Sequence, residues 1–86
     1  MIVKFTAEGI RDLGYWEATN PRLVSKINAL ISSIEATPFR GLGKPEPLKG
    51  DWRGWWSRRI TEEHRLIYRI RAGPIEIARC RFHYKK

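Results

Sequence analysis

The 86 residues include 17 Lys and Arg against 9 Asp and Glu, a net charge of +8, and that length fits one domain, residues 1–86, with one small core. With 42% hydrophobic and 30% charged side chains, the chain is too apolar for a disordered basic tail. Its one cysteine, Cys80, excludes an internal disulfide and suits a reducing compartment. No apolar run approaches the roughly 20 residues of a membrane span, and Met1-Ile2-Val3-Lys4-Phe5 lacks the layout of a signal peptide, so a cytoplasmic location and no membrane partner are expected.

Residues 2–5 read as a short strand. Thr6 is placed to cap a helix that runs to Thr19, with Ala7, Ile10, Leu13 and Trp16 on its inner side and with Gly9 and Gly14 weakening it. Asn20 as N-cap and Pro21 at the first helical position open a second helix. In it Leu23, Val24, Ile27, Leu30, Ile31 and Ile34 recur on one face at a period of 3.6, and Pro38 stops it. Residues 38–50 hold three prolines and three glycines and are expected to be mostly loop, long enough in so small a domain to invite a functional role.

Beyond Trp52 the period changes to two. Residues 55–60, 65–71 and 75–83 read as three strands of an antiparallel meander, joined through 61–64 and 72–74. The even positions Trp56, Ile60, Leu66, Tyr68, Ile70, Ala78, Cys80 and Phe82 are expected to face the helices. The odd positions Ser57, Arg59, Arg65, Ile67, Arg69, Ile77, Arg79, Arg81 and His83 are expected to face outward. This sorting requires strand partners with even index sums, which an odd-length connection such as Ala72-Gly73-Pro74 supplies. The fold class is α+β in the order β-α-α-β-β-β, with a two-helix hairpin on one face of an antiparallel sheet.

The charge is concentrated. Residues 1–43 carry five basic and four acidic side chains, residues 44–86 twelve and five, and most of the latter cations are arginines, whose planar fork suits phosphate. Such a face points to a polyanionic partner, nucleic acid above all. Beside it stand two groups able to move protons. His83 shares the parity of Arg65 and Arg81 and titrates near neutrality when unperturbed. Glu46 sits between Pro45 and Pro47, which restrict where its carboxylate points. A carboxylate, a histidine and several arginines meet the needs of metal-free RNA cleavage: a base for the 2′-hydroxyl, cations for the extra phosphoryl charge, an acid for the departing 5′-oxygen. No metal or other cofactor is expected, because no Asp/Glu cluster or His/Cys ligand spacing occurs. Gly41-Leu42-Gly43-Lys44 is too short for a phosphate-cradling loop, and predicted burial argues against Cys80 as a nucleophile. Trp56 is read as core, Trp55 as a cover for the loop with base stacking the alternative, and Trp52 as an anchor for either a partner or that same loop.

Gly43-Lys44-Pro45-Glu46-Pro47-Leu48-Lys49, the run from Trp56 to Tyr68 and the ending Cys80-Arg81-Phe82-His83-Tyr84, with Tyr15-Trp16 and Thr37-Pro38-Phe39, closely resemble the YoeB (Txe/YoeB) toxins of the RelE/ParE superfamily. The resemblance implies a RelE-like fold and a type II toxin that cuts mRNA in the A site of the 70S ribosome. It implies Glu46 as general base, Arg65 as transition-state stabiliser and His83 as general acid. It also implies Lys49 and Arg59 near the scissile phosphate and Tyr84 shaping the site, although strand parity turns Tyr84 to the other face. Lys85 and Lys86 extend beyond the family's ending and add phosphate attraction. The implied partners are an acidic YefM-like antitoxin and a second copy in a homodimer. Two other readings stand beside it: a ParE-like gyrase poison and a non-catalytic RNA-binding module, neither of which needs a general acid or base.

Overall fold

The computed structural model describes residues 2–83. The chain forms β1 (Val3–Phe5), α1 (Ala7–Thr19), α2 (Pro21–Ala36), β2 (Glu46–Pro47), a 3-10 turn (Gly50–Trp52), β3 (Trp56–Arg59), β4 (Arg65–Ile70) and β5 (Ile75–Arg79). Their order in the sheet is β1-β5-β4-β3-β2, with β1 parallel to β5 and the other pairs antiparallel. The α+β class and the helical hairpin on one face are as expected, and two features are additional. The N-terminal strand joins the sheet as its edge beside β5, and the Pro-rich loop contributes a two-residue strand whose Glu46 pairs with Ser57.

Both helices bury the stripe that faces the sheet. Along α2 the buried residues Ile27, Leu30 and Ile34 follow the predicted spacing. Pro21 takes the first helical turn, where its missing N–H is no loss, and the Asn20 carbonyl, not its side chain, engages the helix by accepting from Leu23 N–H at 3.0 Å. Along α1 the inner face differs from the expected one. Thr6 does cap it, accepting from Gly9 N–H at 3.0 Å and donating to the Ala78 carbonyl at 2.8 Å. The buried residues are Gly9, Asp12 and Trp16, however, while Ala7 is exposed and Ile10 lies 61% exposed. Close approach explains the rotation: a Cβ on Gly9 would stand 2.8 Å from the Ile77 carbonyl oxygen, so only glycine lets the helix backbone rest on β5.

The β5 sorting also differs. Ile70 pairs with Ile75, an odd index sum created by the four-residue connection 71–74, and one extra residue then bulges out where Ile67 faces Arg79 but Tyr68 faces Ile77. Before the bulge the faces are therefore exchanged. Ile75 and Ile77 enter the helix-side core with Leu66, Tyr68 and Cys80, and Ala78 packs outward with Ile67 and Leu48. Arg79 turns to α1, donating from Nε to Asp12 Oδ2 at 2.8 Å. Arg81 lies over the Tyr15 ring with its guanidinium carbon 3.4 Å from the centroid. The strand ends at Arg79, and Phe82 is 48% exposed, not turned toward the helices.

Arg58 occupies an inward position of β3 and is completely buried. Its Nε donates to the Tyr68 hydroxyl at 3.2 Å, Nη1 to Ser33 Oγ at 2.7 Å and the Leu42 carbonyl at 3.1 Å, and Nη2 to the carbonyls of Thr37 and Arg40 at 2.8 and 2.9 Å. The Tyr68 hydroxyl donates in turn to the Pro38 carbonyl at 2.7 Å. These bonds fasten the segment after α2 to the sheet and so determine where the Glu46 strand begins.

Candidate active site

The outer face of the sheet has two halves. At one end Leu48, Ile67 and Ala78 are buried under Trp52 and Trp55, whose rings meet edge to face at 5.8 Å. Arg69 covers Trp55 with its guanidinium carbon 4.2 Å from the ring centroid and donates to Glu76 at 2.8 Å, which holds the Glu76 carboxyl below its usual range. Trp55 and Trp52 are thus the loop's anchor, and Trp56 packs against the main core and Phe39.

The other end is an open cleft of about 320 Å³ lined by Lys44, Pro45, Glu46, Ser57, Arg59, Arg65 and His83. Each wall has a local cause. Gly43, at φ +81°, brings its carbonyl to Arg59 N–H at 2.7 Å. Leu48 N–H donates to the Trp55 carbonyl at 2.9 Å. Between these ties the flanking prolines and the Glu46–Ser57 pairing set the Glu46 carboxylate beside the arginines. Arg59 pairs directly with Arg65 across β3 and β4. Arg65 is only 8% exposed, and its Nη1 donates to the carbonyls of Thr61, Glu62 and His64 at 2.9, 3.0 and 3.3 Å. A guanidinium held this way, at the base of a cleft, is preorganised for an anion. Arg59 is more exposed and meets Glu62 only at 4.0 Å.

His83 reaches the cleft because the chain end is gripped at several points. Asp12 accepts from Cys80 N–H at 3.0 Å and the Trp16 indole donates to the Cys80 carbonyl at 2.7 Å, both from α1. Phe82 then takes a left-handed φ of +64°, with its carbonyl accepting from Arg65 N–H at 2.9 Å and its N–H donating to His64 Nδ1 at 2.8 Å.

Of the candidate residues, Glu46, Arg59, Arg65 and His83 come together from the loop, β3, β4 and the chain end. Lys49 is exposed and stands outside the cleft lining, beyond the buried Leu48, whereas Lys44 lines it. Tyr84 lies outside the described residues. Arg79 and Arg81, expected on this face, belong to the α1 side. Lys44 and Ser57 also line the cleft; neither was a candidate from the sequence, where the outward parity of Ser57 was the available signal. Cys80 is buried, and burial pushes its thiol up to about 12, so it is no nucleophile. Among the described residues no three His, Cys, Asp or Glu side chains come together, and no helix is long and apolar enough to cross a membrane.

A family model for the YoeB-like toxin of bacterial type II toxin-antitoxin system matches residues 5–84. The toxin YoeB of Escherichia coli K12 is 52% identical over 80 residues, 93% of this chain and 95% of that protein. The YoeB/ParE toxin from Agrobacterium tumefaciens superimposes with a TM-score of 0.94 at 51% identity, covering 98% of this chain and 100% of that one. A chain of the YoeB-YefM complex from Staphylococcus aureus gives 0.90 at 40% identity and 98% coverage of both.

Proposed function

The chain belongs to the YoeB-like toxins of bacterial type II toxin–antitoxin systems, and from that premise we propose that it is an endoribonuclease that cuts mRNA in the ribosomal A site without a metal. The observation that carries the reading is the convergence of Glu46, Arg59, Arg65 and His83, drawn from four separate segments, on one cleft. In the proposed reaction Glu46 accepts the proton of a 2′-hydroxyl and the 2′-oxygen attacks the adjacent phosphorus. The bond from phosphorus to the 5′-oxygen breaks, and His83 gives that oxygen its proton. The products are a 2′,3′-cyclic phosphate and a 5′-hydroxyl. Arg65, held by its Nη1 bonds, and Arg59, its cross-strand neighbour, offset the charge that builds on the phosphoryl oxygens. Lys44 and Lys49 draw the strand in, and the role the family resemblance implies for Tyr84 is to shape the site.

Primer extension on a defined mRNA, with and without programmed 70S ribosomes, tests this. Expected are discrete cuts at the A-site codon that require ribosomes and that fall by about 10²–10⁴ in His83→Gln and in Glu46→Gln. No cleavage by the wild-type protein under either condition overturns the reading in favour of gyrase poisoning or passive RNA binding.

The proposed partners are an antitoxin of the YefM kind, as in the S. aureus complex, and a second copy of the chain. An acidic segment laid over the +8 chain gains from long-range attraction. Such a segment should slow amide exchange across residues 57–83; unchanged exchange on adding antitoxin removes the cleft as its docking site.

A further inference from the structure

His64 has no part in the proton transfers proposed above, yet the structure builds the end of the chain around it. Its backbone is locked at the β3–β4 turn: its N–H donates to Thr61 Oγ1 at 3.1 Å and its carbonyl accepts from Ile60 and Thr61 N–H at 2.9 and 3.3 Å. Its ring is wedged edge-on against Trp16, with centroids 4.7 Å apart, and Trp16 is itself tied to Cys80. The ring, packed on Trp16, presents Nδ1 to the Phe82 N–H at 2.8 Å. Because the amide is the donor, Nδ1 must carry a lone pair, and the ring proton resides on Nε2.

The residue receiving this anchor is one that needs it. Phe82 is a bulky side chain at φ +64°, a region that aromatic residues rarely adopt unless neighbours impose it. Both of its backbone polar groups are taken by consecutive residues, the N–H by His64 and the carbonyl by Arg65. The bend is therefore clamped to the start of β4, the same segment that delivers Arg65 to the cleft, and the next residue is His83.

We propose that His64 is a positioning residue for His83: its Nδ1 lone pair holds the Phe82 amide, and with it the left-handed bend that directs His83 into the cleft beside Arg65. The consequence for cleavage rests on the ribonuclease reading; the placement of the chain end does not.

Two substitutions in the full-length protein separate this role from packing. His64→Phe keeps a ring against Trp16 and removes the acceptor, whereas His64→Asn removes the ring and sets Oδ1 where Nδ1 stood. Amide exchange at Phe82, followed by NMR, is expected to be at least about tenfold faster in His64→Phe and near wild type in His64→Asn. Single-turnover cleavage on programmed ribosomes is expected to fall by about 10-fold or more in His64→Phe, with ribosome affinity unchanged, and to recover in His64→Asn. Wild-type exchange and cleavage in His64→Phe, or a loss in His64→Asn alone, would show that the ring only packs and overturn the assignment. If His64→Phe fails to fold, His64→Asn decides by itself: fast Phe82 exchange counts against the lone pair. If the wild-type protein cleaves nothing, the ribonuclease reading falls and the Phe82 exchange arm still judges His64.

Discussion

The two faces of the sheet treat a buried arginine in opposite ways. Arg58, toward the helices, directs all three of its nitrogens at oxygens of the protein and is wholly sealed. Arg65, on the outer face, engages three carbonyls through Nη1 alone, and among the described residues its Nε and Nη2 have no hydrogen-bond acceptor. The first guanidinium is saturated and can only hold structure. The second is anchored on one side and open on the other, which is what an anion site requires. Two arginines of one short sheet thus differ in how many of their donors folding consumes, and only the second keeps donors for a ligand.

The largest expected effect tests the saturated side. Arg58→Met removes the donor shared by five oxygens and is expected to cost about 3–5 kcal/mol, measured by denaturant titration. A loss under about 1 kcal/mol would mean that water replaces those bonds and that the contrast between the faces is false. On the open side, Arg65→Lys is expected to lower cleavage by about 10²–10³ while stability changes by less than about 1 kcal/mol. A large drop in stability with little change in rate would reverse the two roles. Between them lies the loop that Arg58 secures. Gly43→Ala meets both a φ of +81° and a Cβ site 2.8 Å from Leu30 Cδ2, so about 1–3 kcal/mol should be lost, read as a lower thermal midpoint.

The smallest effect concerns the seal on the helix side. With the Cys80 thiol pushed up to about 12 by burial, the fold favours the protonated form. That contribution is complete below the thiol's unfolded value of about 8.5 and is lost as pH rises from there toward 12. Iodoacetamide at pH 8 should accordingly modify Cys80 in the native protein far more slowly than in urea. Equal rates would show that the helix-side core opens readily.

Much of this was legible beforehand because it depends on nearest neighbours. The α2 stripe, the Thr6 cap and the Pro21 start follow from a 3.6 period and from capping and proline geometry, and the outward turn of Arg59 and Arg65 from a two-residue period. The errors cluster where one tertiary contact outweighs the local period. Ile10 is apolar and exposed because Gly9 alone permits the helix to approach the Ile77 carbonyl. Ile77 and Ala78 exchanged faces because a four-residue connection shifted the register and a bulge then restored it beyond Tyr68.

Pattern and composition by themselves determined the class of the fold and the concentration of cations in the second half, since each depends on covalent spacing along the chain. Only the tertiary structure decided which arginine is sealed and which stays open, and that His83 stands beside Glu46 and Arg65. It also decided that His64 holds the bend beneath His83, since a hydrogen bond between residues 64 and 82 depends on two distant segments being packed to within 2.8 Å, a distance that no period along the chain encodes.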